Sequence, residues 1–453
     1  MFSINPQKLF SINPQKLFLE NNSINFKLLV KFIDRFRTQE VNELKNMYNC
    51  YNRPITDNIT INLEKYITDT IVYYTFGEPI QYNNVTEDFI NNMVKIDEDS
   101  HNVALAIDQS IFGKAFEYMQ INEEGEVELI NLSPMNTFVI YSNDIVPKPL
   151  LGVYIIEEYD EESEEESYTV LCWSNMFAYK YYGQDLDNLQ LTEVIQHYFG
   201  GVPIIELKNN KEEKADFADV IGLIKSYEEL QTNRITDKNQ FINKLLVIIN
   251  SSLGDTVEEF EESKKVLKEG GIIELSGSGD NTPSAQFISQ SLVEADVDIL
   301  KKSLENDIFR MAKIPNLADE SFSNAQSGIS LKYKLYGTEI IAQEKERNFK
   351  KMLRQRLEMI NNIYNLKNTG MELGDIDIIF TRNIPTSAEE KLQELQGTEG
   401  ILSLETRIMK YDPEIDIEGE LRRIQEEKET DADIVNRQFS NYVVNKSSEE
   451  DDE

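Results

Sequence analysis

Residues Ile314–Phe349 read IPNLADESFSNAQSGISLKYKLYGTEIIAQEKERNF, and the first half of this stretch makes an odd neighbour for the second. From Ser327 a helical pattern runs on through TEIIAQEKERNFKKMLRQRLEMINNIY to Tyr364, interrupted only by Gly328 and Gly337. A long helix is ordinarily entered through a short cap. This one is entered through NLADESFSNAQ (316–326), whose small polar side chains offer almost no surface worth burying.

Upstream of the loop, SLVEADVDILKKSLENDIFRMAKI (291–314) opens on a capping box, Ser291 to Glu294, and ends at Pro315. Its stripe of Val293, Val297, Leu300, Leu304, Ile308 and Met311 is one narrow apolar seam on a charged rod. A second rod, ADFADVIGLIKSYEELQTNRITDKNQFIN (215–243), carries Val220, Ile224, Tyr227 and Leu230 on one face. At 1.5 Å per residue each rod is roughly 33–43 Å long. Neither has a broad enough apolar face for the middle of a globular core, so each needs neighbours along its sides. Between the rods lies a small α/β insert. It consists of a strand KLLVIIN (244–250), a helix TVEEFEESKKVLKEGG (256–271), and strands IIELSG and AQFISQ flanking GSGDNTPS (277–284).

Towards the N-terminus the pattern is mixed. Phe26 to Met47 reads as an amphipathic helix. In NITINLEKYITDTIVYYTFGEPIQY (58–82), Leu63, Ile67, Ile71 and Tyr74 follow helical spacing until Gly77 and Pro79 stop it. NVALAIDQSIFGKAFEYM (102–119) reads as a helix running into a strand, with Gly113 as the break. Short alternating strands then extend to Ile205: VELINL, TFVIYS, LLGVYII, YTVLCW and FAYKYY. The acidic run EEYDEESEEE (157–166) reads as an exposed hairpin loop; it lacks the spacing and central glycine of a calcium loop. DIDIIFTRNIP (375–385) reads as a strand ended by proline. A helical tail follows, from the capping box Ser387–Glu390 through SLETRIMKY and IEGELRRIQEEKE, and the chain ends in the acidic NKSSEEDDE. Residues 2–9 and 10–17 repeat FSINPQKL in tandem. That is too short a unit to define a fold, so the expectation is a duplication in a tolerant terminal arm.

Composition bounds the function. Against 45 Lys and Arg stand 81 Asp and Glu, a formal net charge of −36 over 453 residues. A protein that grips nucleic acid presents a basic surface that displaces counterions; this one is built the other way. With only two cysteines and two histidines in the chain a Cys/His zinc site is not expected, nor is any other metal or cofactor. No run of about 18 apolar residues suggests a membrane span, and the N-terminal residues lack the pattern of a secretory signal. Gly277 and Gly279 have no P-loop lysine behind them. The acids of DVD (296–298) and DID (375–377) would need further converging carboxylates for two-metal nuclease chemistry.

Four stretches carry a resemblance. They are KYITDTIVYYTFGEPIQY (65–82), HNVALAIDQSIFGKAFEYM (101–119) with the strands after it, the opening stretch with its SGISLKYKLYG (327–337), and IIFTRNIPTSAEE (378–390). In these and in element order, residues 40–430 resemble the portal proteins of long-tailed double-stranded DNA phages of Gram-positive bacteria. The resemblance implies an α+β portal fold and no catalysis. Its parts are an N-terminal arm (1–39), a mixed α/β wing (40–215), stem helices 216–243 and 291–314, and a small α/β clip (244–290). A tunnel loop (315–327), a long kinked helix with a wing strand (328–385), a helical crown (386–430) and an acidic tail (431–453) complete it.

It implies a ring, dodecameric in the virion, at one capsid vertex, assembled in the host cytoplasm. Its partners would be the terminase large subunit, a head-completion or connector protein, the major capsid and scaffold proteins, and double-stranded DNA passing through without sequence-specific binding. The loop residues facing DNA would be Asn316, Asp319, Glu320, Ser321, Ser323, Asn324 and Gln326, a set with no Lys or Arg to hold phosphates. Lys301, Lys302 and Glu305 would line the stem face, the lysines either forming a weak basic band or pairing with Glu305 and Asp298. Gly328 and Gly337 would be hinge points. A nuclease using clustered acids, or a capsid scaffold, are the competing readings; a scaffold is disfavoured by the strand-rich region at 125–205.

Overall fold

A computed structural model describes residues 10–19, 23–53, 60–160, 165–242, 245–249, 256–268, 284–288, 294–317, 328–366, 376–384 and parts of 392–428. In chain order the elements begin with β1 (Ser11–Ile12), α1 (Pro14–Leu17), α2 (Phe26–Gln39), α3 (Val41–Tyr51), α4 (Leu63–Phe76), β2 (Gln81–Asn83), α5 (Glu87–Lys95) and α6 (Glu98–Phe112). Next come β3 (Lys114–Ile121), β4 (Val127–Leu132), β5 (Thr137–Ser142), β6 (Pro149–Asp160), β7 (Glu165–Trp173), β8 (Phe177–Gly183), β9 (Gln190–Gln196) and β10 (Ile204–Lys208). The remainder are α7 (Ile221–Ile242), β11 (Leu245–Ile249), α8 (Val257–Lys268), β12 (Ser284–Ile288), α9 (Glu294–Ala312), α10 (Gly328–Lys334), α11 (Tyr336–Leu366), β13 (Asp377–Ile379) and α12 (Leu404–Tyr411). The chain divides into two compact units, Met1–Asn324 with Tyr333–Asn383, and Ala325–Lys332 with Ile384–Glu453.

The first unit is built on the two larger of its four described sheets. Six strands run in the order β1-β5-β6-β7-β8-β9, antiparallel except where β1 joins β5 in parallel; three more run β10-β3-β4. Phe116, Val139, Trp173 and Ile204 fill the space between the sheets, each taken from the inward register of an alternating strand. On its other face the six-stranded sheet is covered by α2, through Leu29, Phe32, Ile33 and Phe36. The helix α11 is the spine of the unit. Ala342, Phe349, Met352, Leu353, Leu357 and Ile360 recur along one buried face at helical spacing, and most of them pack with α4, α6 and the three-stranded sheet. Gly113 adopts a left-handed φ of +75° where α6 turns into β3, a conformation that costs a residue with a Cβ.

Several expectations need correction. The helix from Phe26 to Met47 is two helices, broken at Glu40, which serves as C-cap of α2 and N-cap of α3. The acidic run 157–166 is mostly strand: Glu157 pairs with Tyr168, Glu158 with Ser167 and Tyr159 with Glu166. Long side chains on alternating faces of an exposed ribbon keep their charges in water, so the ladder continues through them. The second repeat is no loose arm either, because Phe10 and Leu17 are buried in the main core. In α9 the buried positions are Ile308 and Ala312, while Leu300 and Met311 are half exposed. The helix after the loop breaks at Leu335, between α10 and α11, two residues before Gly337. Residues 272–277, the capping boxes Ser291–Glu294 and Ser387–Glu390, and the tail 431–453 fall wholly or largely outside the described residues.

The second unit contributes α12, entered through Ser403, whose Oγ accepts from the Thr406 amide at 3.2 Å, and a helical stretch over 419–428.

Candidate functional site

Among the described residues the rods meet the rest of the first unit where α7 begins and α9 ends. Ile67 and Ile71 of α4, Phe217, Ile224 of α7, and Ile308 and Ile314 at the end of α9 form a single apolar cluster. Away from it the rods hold each other, with Arg234 of α7 pairing with Asp298 of α9 at 3.0 Å. Their outer apolar side chains stay open: Ile299 is 67% exposed and Leu300 50%, against 0% for Ile308.

Charged clamps fix this junction. Glu228 on α7 pairs with Arg53 at 2.5 Å and accepts from the Ile61 amide at 3.0 Å; Arg53 also pairs with Glu64, buried at the start of α4. Burial raises the Glu64 carboxyl above its ordinary pKa despite the arginine beside it. On α11, the buried Lys345 reaches Asp216 at 2.8 Å and Asn209 Oδ1 at 2.5 Å, just ahead of α7. Burial pulls its ammonium below the usual lysine range, and Asp216 offsets part of that pull. Further along, Arg356 donates to Glu117 Oε1 at 2.9 Å, Glu98 Oε1 at 2.6 Å and Asn102 Oδ1 at 2.8 Å. Burial alone would raise the Glu117 carboxyl, but Arg356 and the His101 hydrogen bond outweigh it and hold it down to about 2.

The root of the polar loop is equally determined. Lys313 turns out of α9 with a left-handed φ of +58°, and its carbonyl accepts from Thr338 Oγ1 at 3.2 Å. A Cβ on Gly337 would lie 2.7 Å from that same oxygen. Glycine is therefore favoured here by the close approach of two backbones. Asn316 Nδ2 donates to Glu305 Oε1 at 3.0 Å, and the Leu317 amide donates to the Tyr66 hydroxyl at 3.2 Å. Residues 313–317 thus leave α9 along a defined path, and Gly337 of α11 lies beside Lys313 where they leave it.

Of the residues expected at the site, the structure brings Asn316 and Glu305 into contact. Lys302 is exposed and Lys301 half exposed. Their expected carboxylates are engaged elsewhere, Asp298 by Arg234 and Glu305 by Asn316. Gly328 is the first residue of α10. Asp319, Glu320, Ser321, Ser323, Asn324 and Gln326 lie outside the described residues. Asp296 is exposed, Asp375 lies outside the described residues, and among the described residues no three His, Cys, Asp or Glu side chains could hold a metal ion. Lys345, Arg356, Asp216 and Glu228 are not among the residues singled out from the sequence. A signal was there for the first two, since Lys345 and Arg356 occupy positions in the apolar stripe of α11.

A family model described as "Phage portal protein, SPP1 Gp6-like" matches residues 37–433. The chain belongs to the phage portal protein family. Among its relatives, the portal protein of Bacillus phage SPP1 is 24% identical over 417 residues, covering 86% of this chain and 79% of that one. The portal protein of Clostridium phage phiCD119 is 23% identical over 419 residues, covering 86% and 89%. Among solved structures, a chain from the neck of an empty gene transfer agent particle aligns with a TM-score of 0.49 at 10% identity, covering 82% of this chain and 93% of that one. A chain from the virion of a native gene transfer agent particle aligns at 0.47 and 10% identity, covering 81% and 93%. The portal family match begins beyond the FSINPQKL repeats. No helix among the described residues is long and apolar enough to cross a membrane.

Proposed function

We propose that copies of this chain close into a ring, dodecameric in the virion, whose axial channel passes double-stranded DNA during packaging and ejection. In this reading α7 and α9 are the stem, β11, α8 and β12 belong to the clip, and the loop 316–326 projects towards the DNA. The observation that carries the reading is the rods' incompleteness: anchored at one end by a full core, they expose Ile235, Ile299 and Leu300 along their length. A second row of identical rods would cover them, and repeating the same contact around an axis closes a ring. The loop's chemistry fits the task, since amides, hydroxyls and two acids (Asp319 and Glu320) can slide past phosphates without releasing their counterions. Lys313 packed against Gly337 holds together the segments that flank the loop and α10, so the loop can shift between fixed anchors. Terminase and a connector would dock on the clip, and the ring would sit at a capsid vertex with capsid and scaffold proteins around it. No catalytic step is assigned to the chain.

The reading is tested by packaging with Asp319→Lys/Glu320→Lys. Rings should assemble as before while DNA passage slows or arrests; unchanged packaging would remove the loop from the mechanism. Deleting 244–290 should spare the wing and abolish connector docking, and surviving docking would overturn the clip assignment.

A further inference from the structure

The second FSINPQKL copy is received by a well-defined slot. Phe10 sets its ring 5.1 Å from that of Phe138, with Phe32 and Phe36 at 6.2 and 6.3 Å. It also helps to line a water-sized cavity of about 20 Å³, whose wall includes Glu40, Lys114, Glu206, Lys208 and Glu213. Ser11 and Ile12 add a strand in register with Tyr141 and Ser142. The Tyr141 and Asn143 amides donate to the carbonyls of Phe10 (2.7 Å) and Ile12 (3.0 Å). Asn13 caps α1 through its Oδ1, Pro14 is preset for the first helical position, and Leu17 is wholly buried.

Every one of these anchors recurs eight residues earlier as Phe2, Ser3, Ile4, Asn5, Pro6 and Leu9, and the identity runs on into the next position, where Phe10 corresponds to Phe18. We propose that the slot accepts either repeat of the same chain, so that residues 2–9 replace 10–17 in a minor register in which Phe10 takes the place of Phe18. Both registers leave the same residue types outside the slot. They differ in the loop closed by the Phe18–Ile24 bridge, which spans five residues (19–23) in one register and thirteen (11–23) in the other. The probability of closing a loop falls as about the three-halves power of its length, which disfavours the shifted register about four-fold. Roughly one chain in five then holds the first repeat in the slot. The half-exposed Leu19 gives way to Ser11 with little burial lost, and Ser11 can donate to the Ser23 carbonyl as Leu19 does.

The test is amide exchange at Tyr141 and Asn143 in the full-length protein. Leu17→Ala and Leu17→Asp should each lower protection only about five-fold, to the same level, because the intact first repeat takes over however severe the change. Leu9→Asp alone should change it by less than two-fold, and Leu9→Asp/Leu17→Asp should abolish it. If Leu17→Asp is far worse than Leu17→Ala, or as damaging as the double variant, no substitution of repeats occurs. Protection in Leu17→Asp that falls on dilution would place the incoming repeat on another chain and equally overturn the proposal. Packaging activity is not the readout, so failure here leaves the channel reading untouched.

Discussion

In the reading proposed above, the wing (the two-sheet body around α11) and the stem (the rods α7 and α9) solve opposite problems with similar residues. In the wing, charge is taken inside: Arg356, Lys345 and Glu117 are all but fully buried, each matched by partners within hydrogen-bonding distance. In the stem it is oil that is left outside, with Ile299 and Leu300 open on α9 while charged neighbours such as Arg234 and Asp298 pair across the rods. Buried ion pairs add little net stability over apolar isosteres but punish any loss of a partner, so they fix one arrangement of α11 against the sheet. Open apolar rows do the reverse: they leave the fold of one chain unaffected and reward assembly. The wing is finished by its own sequence. In the proposed ring the stem is finished by copies of itself.

The contrast predicts very different costs for substitutions in the two regions. Arg356→Ala strands Glu117 and Glu98 in the core and should cost about 3–5 kcal/mol, read by denaturant unfolding of the wing. Gly337→Val forces the Lys313 carbonyl aside and should cost about 1–3 kcal/mol, displacing the loop root without touching the sheets. Ile299→Asp/Leu300→Asp should change unfolding by no more than about 0.5 kcal/mol per site, yet prevent ring closure by electron microscopy. A large loss of stability in that variant would erase the distinction between the regions.

Acid sharpens the same contrast. The Glu117 carboxyl lies near 2 in the folded wing against 4.5 unfolded. A depressed carboxylate contributes stability above its unfolded value and loses it as pH falls through its folded one. The wing should therefore weaken between about pH 4.5 and 2, and Glu117→Gln, already less stable at neutral pH, should show a flatter dependence there.

Legibility in the sequence followed the source of each element's specification. β4 and β5 match VELINL and TFVIYS residue for residue, because short apolar runs rich in β-branched and aromatic residues and bounded by turns are a local signal. The stop of α4 at Gly77 and the turn at Gly113 were likewise local. β9 was not, since all seven of its residues are exposed and it is defined by pairing with β8 rather than by a buried face. The break at Glu40 has no Pro or Gly to announce it; it follows from how α2 and α3 pack against different neighbours. Of the candidate site, only the lower part of the seam, Leu304 and Ile308, was legible from spacing. The clamps were not, because Lys345 meets Asp216, and Arg356 meets Glu117, across more than a hundred residues of chain.

A side-chain-resolution electron-microscopy map of the purified full-length protein tests the central claim most directly. Closed rings in which Ile299 and Leu300 lie against α7 or α9 of the adjacent copy are the predicted result. A chain that stays monomeric, or rings in which those two residues remain in water and the loop 316–326 points away from the axis, would contradict it.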